Sequence, residues 1–95
     1  MSAAKTGGAP DIVTLGEPLI EFNHIDRASS SYVQGFGGDM SNAAIAAARQ
    51  GARVGIVSRV GMDRFGELLL ELWDRERVDT SAVARDPQAN TGMYF

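Results

Sequence analysis

Apolar and polar positions recur with different periods along the chain, and the periods mark the elements. Residues 1–10 are small, polar and glycine-bearing, which predicts a disordered leader. Ile12, Val13 and Leu15 make 11–15 an apolar run of strand character. Gly16-Glu17-Pro18 interrupts it, and 19–22 reads as a second extended piece. The polar, serine-rich stretch 24–31 predicts a loop, with His24 in solvent. A short strand follows over 32–36, with Tyr32 and Gln34 on one face. Alanines at 43, 44, 46, 47 and 48 predict a helix over 40–50, because alanine has the best helix propensity. Gly51 fits its C-terminal cap.

Arg53–Val60 is rich in β-formers (Val54, Ile56, Val57, Val60) with little polar alternation. Such runs suit a sheet covered on both faces. Asp63 is placed to N-cap a helix that runs to about Arg77. Phe65, Leu68, Leu69, Leu72 and Trp73 fall at i, i+3, i+4, i+7 and i+8, one apolar face that predicts core packing. Arg64, Glu67, Glu71, Asp74 and Arg75 take the other side, and Glu71 and Arg75 are spaced as an i, i+4 pair. Residues 78–81 read as a turn, and 82–84 and 91–95 as short strands around a polar loop. Alternating strands and helices predict an α/β layer with parallel strands. The extended pieces before the first helix do not belong to a plain βαβ unit, and they predict a small side sheet. The apolar run Met93-Tyr94-Phe95 has no polar tail, so a longer protein is expected, with this chain as its front part.

Composition removes several classes of function. A chain of 95 residues buries only a thin core. The net charge of −3 gives no basic footprint for nucleic acid. No apolar run approaches membrane-spanning length, and the first residues lack the apolar stretch of a signal peptide. A cytoplasmic location is expected. Cysteine is absent, which excludes disulfides and thiolate metal sites. With His24 as the single histidine, a zinc centre is not expected.

The chemistry concentrates at Gly35-Phe36-Gly37-Gly38-Asp39-Met40-Ser41-Asn42, where a glycine cluster runs into the alanine-rich helix. Glycine lets the backbone turn sharply and approach a ligand. A helix start supplies free N–H groups and partial positive charge. Asp39, Ser41 and Asn42 add short hydrogen-bonding groups suited to the hydroxyls of a small polar molecule. An ordinary loop with an N-cap accounts for the same residues equally well. Gly35 and Gly37 begin a dinucleotide fingerprint, but Met40 stands where the third glycine belongs, and Asp39 would repel a pyrophosphate. Neither G-x-x-x-x-G-K-[ST] nor G-x-S-x-G occurs. The junction suits an uncharged or carboxylated polyol better than a nucleotide.

Gly37-Gly38, Asn42, Ala44, Gly51 and Gly61 have the spacing of the N-terminal signature of the PfkB, or ribokinase-like, carbohydrate kinases, which the chain resembles over nearly all of 11–95. Met40 departs from that pattern, where many members carry glycine or alanine. Gly16-Glu17-Pro18-Leu19-Ile20-Glu21-Phe22 resembles the opening of 2-keto-3-deoxygluconate kinases. Gly61-x-Asp63-x-Phe65-Gly66 is similar to the family's strand-to-helix turn. Thr91-Gly92-Met93-Tyr94-Phe95 resembles the strand that carries a sugar-contacting tyrosine.

The resemblance implies a ribokinase-like three-layer αβα sandwich with a small β-sheet lid, present here in its N-terminal part. Residues 11–95 would belong to that domain, with lid strands at about 17–36 and 90–95. Gly38, Asp39, Met40, Ser41 and Asn42 would line the sugar site, with Asp39 and Asn42 gripping hydroxyls and Tyr94 covering the sugar from the lid. Glu21 falls near a sugar-binding acid of ribose kinases, although a surface charge on an edge strand accounts for it as well. The family's catalytic aspartate lies in a Gly-x-Gly-Asp helix start that does not occur here. ATP and Mg2+ would be bound by the part of the fold missing from this chain, so the chain alone is expected to phosphorylate nothing. Lid strands in the family pair between subunits, which implies a homodimer. The leading expectation is an ATP-dependent 2-keto-3-deoxygluconate kinase. Fructokinase or another PfkB sugar kinase is the alternative. A non-catalytic sugar-binding or regulatory module on the same scaffold is a second class. A structural domain without a ligand leaves the glycine and asparagine spacing unexplained.

Overall fold

The computed structural model describes residues 8–95. The leader expected over 1–10 lies outside the described residues as far as residue 7. In chain order the elements are β1 (Ile12–Leu15), β2 (Leu19–His24), β3 (Tyr32–Gly37), α1 (Asp39–Arg49), β4 (Val54–Gly61), α2 (Arg64–Arg75), β5 (Val78–Asp86) and β6 (Met93–Tyr94). They form two three-stranded sheets, in the orders β1-β4-β5 and β3-β2-β6. The first is all parallel. In the second, β2 runs antiparallel to β3 and parallel to β6. The mixed α/β fold and the small side sheet expected from the pattern are therefore both present.

The core follows from the strand and helix periods. Val54, Ile56 and Val60 of β4 and Val78 of β5 meet Ala44 of α1 and Leu69, Leu72 and Trp73 of α2. Each large apolar side chain removed from water contributes about 1.5–3 kcal/mol. Ile20 of β2 is fully buried in the same cluster, which fixes the small sheet to the body. Phe22 of β2 adds an edge-to-face contact with Phe65 of α2 at 5.7 Å. Both helices lie over one face of the parallel sheet. The other face holds Val13 (55% exposed), Leu15 (76% exposed) and Val57, so the described residues cover β4 on one side. No helix among the described residues is long and apolar enough to cross a membrane.

The structure corrects three local expectations. Residues 78–81 are strand, not turn: Val78 pairs with Val54 and Asp79 with Gly55. The chain reverses earlier, at Glu76-Arg77, where Arg77 takes the left-handed conformation with φ 64°. The turn chemistry of Asp79 is used inside the strand, where its Oδ1 accepts from the Ser81 N–H at 2.9 Å beside an irregularity in register. His24 ends β2 rather than starting the loop, and its ring stacks on Tyr32 at 4.7 Å. Glu21 lies on the central strand of its sheet, not on an edge. On the outer face of α2, Glu71 accepts from Arg64 at 3.3 Å.

Asp63 caps α2 as expected, with Oδ1 accepting from the Gly66 N–H at 2.7 Å. The Thr91 N–H, donated to the carboxylate at 2.9 Å, is the leading cause that holds its pKa below the ordinary value. The Thr91 hydroxyl, the Gly66 N–H and the Arg85 charge act in the same direction. A depressed carboxylate binds fewer protons in the folded than in the unfolded chain. Its contribution to stability is therefore present above the unfolded pKa and lost as pH falls through the folded one. The urea midpoint is expected to fall as pH drops below about 4. Asp63→Asn should lower the plateau near neutrality and flatten that acid limb, and an unchanged limb would show that other carboxylates carry it.

Candidate functional site

The start of α1 is built by backbone, not by a capping side chain. Gly38 occupies the cap position with φ 98° and ψ 123° and makes no side-chain cap bond. The helical ladder begins with the Asn42 N–H donating to the Gly38 carbonyl at 3.0 Å. The N–H groups of Asp39, Met40 and Ser41 precede that first bond and have no acceptor within the helix. Asp39 sits in the first turn, where a negative charge complements the helix dipole. The β1–β2 connection lies directly on this start. A Cβ on Gly38 would stand 2.8 Å from the Glu17 carbonyl oxygen and 3.1 Å from the Pro18 Cα.

The six residues expected at the site separate by their helical and strand phase. Asp39 and Asn42, three positions apart, are both exposed on the outer face of α1. Asn42 also lines a groove of about 450 Å³ with Phe36, Ile45, Arg49, Leu72 and Glu76. Met40 is half-buried under Gly16, packed against the core. Ser41 is 1% exposed and turned inward, where its Oγ accepts from Trp73 Nε1–H at 2.8 Å. The Ser41 hydroxyl is thus used inside the fold, and its backbone N–H is what remains for the helix start. Tyr94 is exposed on β6, paired in register with Glu21 of β2. Glu21 is in turn opposite Gly35 of β3, two rungs from the Leu19–Gly37 pair that leads into α1.

Two further acids belong near this arrangement. The Glu21 carboxylate lies over Gly37, where a side chain would displace it. The Glu17 carboxylate lies beside Gly92, at the foot of β6. Alternation along β2 carries the signal for Glu21, since Leu19, Glu21 and Asn23 share the face opposite the buried Ile20. Among the described residues, no three His, Asp or Glu side chains converge as metal ligands.

A model of the pfkB family carbohydrate kinases matches residues 9–95. The chain belongs to this family. It is 42% identical over 88 residues to the 2-dehydro-3-deoxygluconokinase of Thermoproteus tenax, covering 88% of this chain and 27% of that protein. Against the 5-dehydro-2-deoxygluconokinase of Clostridium beijerinckii it is 35% identical over 91 residues, which is 90% of this chain and 27% of the relative. Among solved structures, the fructokinase of Xylella fastidiosa with bound ATP superposes with a TM-score of 0.82 at 31% identity, over 87% of this chain and 26% of that one. An uncharacterized sugar kinase of Pyrococcus horikoshii gives 0.81 at 31% identity, over 87% and 30%. The chain thus spans about a quarter of the length of the pfkB relatives it matches. Its two sheets and two helices superpose on the ribokinase-like sugar kinases, which agrees with the expected fold class.

Proposed function

We propose that residues 11–95 form the front part of an ATP-dependent sugar kinase, and that α1 and β6 supply part of its sugar site. The observation that carries this reading is the placement of Asp39 and Asn42. They stand exposed and side by side on the first turn of a helix whose start is closed by backbone packing on the β1–β2 connection. Their oxygens and amide would bind sugar hydroxyls, the backbone at Gly38 would admit the ring closely, and Tyr94 would cover it. Met40 and Ser41 would contribute through backbone and packing. The substrate proposed is a 2-keto-3-deoxy sugar acid such as 2-keto-3-deoxygluconate, a reading supported by the similarity to the Thermoproteus tenax enzyme. Fructose is the alternative, supported by the fold shared with the Xylella fastidiosa fructokinase.

ATP, Mg2+ and the catalytic base are proposed to belong to the part of the family fold that this chain does not contain. Phosphoryl transfer needs an aligned base, a metal ion and donors for the transferring charge, and the described residues bring together no such set. The 95 residues alone are therefore expected to turn over no ATP. A coupled assay with this chain, sugar present and absent, checks it.

The full-length protein assayed with ATP across keto-deoxy sugar acids, fructose and ribose tests the activity and separates the two substrates. Asp39→Ala and Asn42→Ala are each expected to raise the KM for the sugar about tenfold or more, the loss of a hydrogen bond made only to the ligand. Both side chains are exposed, so the urea midpoint should move little, by no more than the about 0.3–1 kcal/mol that the Asp39 charge contributes at the helix start. Variants that shift the midpoint and leave KM alone would remove these residues from the site. A homodimer through the lid is proposed as well, on the exposed Tyr32, Val33 and Tyr94 of the small sheet. Sedimentation of the full-length protein decides it.

A further inference from the structure

The segment after Val78 has one buried residue, Thr91, which is 4% exposed. Thr91 immediately precedes Gly92 and the lid strand β6. Its hydroxyl donates to Asp63 Oδ1 at 2.7 Å and accepts from the Gly61 N–H at 2.9 Å. Its own N–H donates to Asp63 Oδ2 at 2.9 Å. An N-cap needs one carboxylate oxygen, which Asp63 gives to Gly66. The second oxygen is aimed at Thr91, 28 residues away in sequence, and capping does not account for it.

The packing around this node is closed. A Cβ on Gly61 would stand 2.7 Å from the Thr91 nitrogen and 2.8 Å from the Ala89 oxygen. A Cβ on Gly66 would stand 3.2 Å from the Thr91 hydroxyl. Arg85 Nε–H donates to the Gly61 carbonyl at 3.1 Å, which holds the end of β4 from the other side. Three parts of the fold therefore meet at one carboxylate: the C-terminal end of β4, the first turn of α2 and the root of β6. Just beyond Thr91, the Gly92 carbonyl accepts from the Ile20 N–H at 3.0 Å and Tyr94 pairs with Glu21.

We infer that Asp63 and Thr91 form a clasp that sets the position of β6, and that they are positioning residues for sugar binding, acting through Tyr94 and Gly92. The inference rests on the proposed sugar-kinase reading of the site, and its test has one arm that does not. Neither residue is proposed to touch the sugar. Without the clasp, β6 keeps its pairing with β2 and the ring contacts of Phe95 with Phe22 and Tyr32, but its root is no longer tied to α2, and the tyrosine over the site loses its fixed height. A displacement of about 1 Å in a substrate-positioning group can reduce turnover or affinity by about 100-fold.

The test uses Thr91→Val, which keeps the branched shape and removes the hydroxyl, and Thr91→Ser, which restores it. In the full-length protein, Thr91→Val should raise the sugar KM by about 10- to 100-fold and leave the KM for ATP within about twofold. It should also speed hydrogen exchange at the Ile20 and Tyr94 amides but not in α2, and Thr91→Ser should reverse both effects. If Thr91→Val does not fold, Asp63→Ser takes its place. Serine can still cap Gly66 but has no second oxygen for Thr91. Unchanged exchange at Ile20 and Tyr94 overturns the clasp. Faster exchange with an unchanged sugar KM overturns the positioning role. If the wild-type protein phosphorylates no sugar, the function reading fails and the exchange arm still decides the clasp.

Discussion

Trp73→Ala is expected to destabilise the fold by about 3–5 kcal/mol, the usual result of emptying a large buried aromatic site. Trp73 is fully buried where α2 meets the core, and no other side chain in the cluster is as large. Single domains are stable by about 5–15 kcal/mol, and a chain that spans about a quarter of its relatives' length buries less surface than a whole domain and lies at the low end. The substitution should therefore consume most of the stability, and a cooperative urea transition at room temperature should be weakened or lost.

Two smaller changes divide that effect. Ser41→Ala leaves the indole N–H buried without its acceptor, which costs about 1–3 kcal/mol. Trp73→Phe removes the donor instead, and the serine hydroxyl can turn to a backbone carbonyl three or four residues back, at Gly38 or Gly37. Ser41→Ala should therefore be the more damaging to the hydrogen-bond balance, although it removes a single oxygen. Its effect on the sugar KM should be slight, in contrast to Asn42→Ala one residue away. A Ser41→Ala protein with native stability and a raised sugar KM would return Ser41 to the ligand.

Ser41 also shows why the sequence was readable in some places and misleading in others. Asp39, Ser41 and Asn42 look alike as short polar groups at a helix start. The phase of the helix separates them, because Ser41 falls three residues before the buried Ala44 and on its side. That signal was in the spacing, and the polarity concealed it. The apolar face of α2 was legible because five large side chains recur with one period, and β4 was legible from its concentration of β-formers.

Residues 78–81 misled because Asp79, Thr80 and Ser81 have turn chemistry, whereas strand pairing with β4 is a tertiary effect that overrides local preference. The placement of Glu21 on a central strand could not be read locally, since strand order depends on β6 arriving from 73 residues away. The bond from Asp63 to Thr91 has the same origin. Each residue has a sufficient local explanation, as a cap and as a strand former, and only the closed fold shows them joined.

Gly38→Ala is the second large expected effect, and it tests whether the close approach at the helix start belongs to the site. At φ 98° and ψ 123° an L side chain is strained, by about 1–3 kcal/mol. The added Cβ would also meet backbone atoms of Glu17, Pro18 and Leu19 at 2.8–3.3 Å, none of which can swing aside like the end of a side chain. The two effects together should exceed about 3 kcal/mol, and relief requires the β1–β2 connection to lift off α1. Gly51, just past the C-terminal cap of the same helix, provides the control. Its φ is 97°, nearly that of Gly38, but a Cβ there meets nothing within 4 Å. Gly51→Ala should therefore show the conformational strain alone, about 1–2 kcal/mol, with the sugar KM of the full-length protein unchanged. Gly38→Ala should show the larger loss of stability and, in protein that remains folded, a sugar KM raised well beyond that of Gly51→Ala. Lifting the connection would move Glu17 away from Gly92 and so disturb the place proposed for the sugar beneath Tyr94. Equal effects of the two substitutions on both measurements would mean that the packing of residues 17–19 on the helix start has no part in holding the ligand.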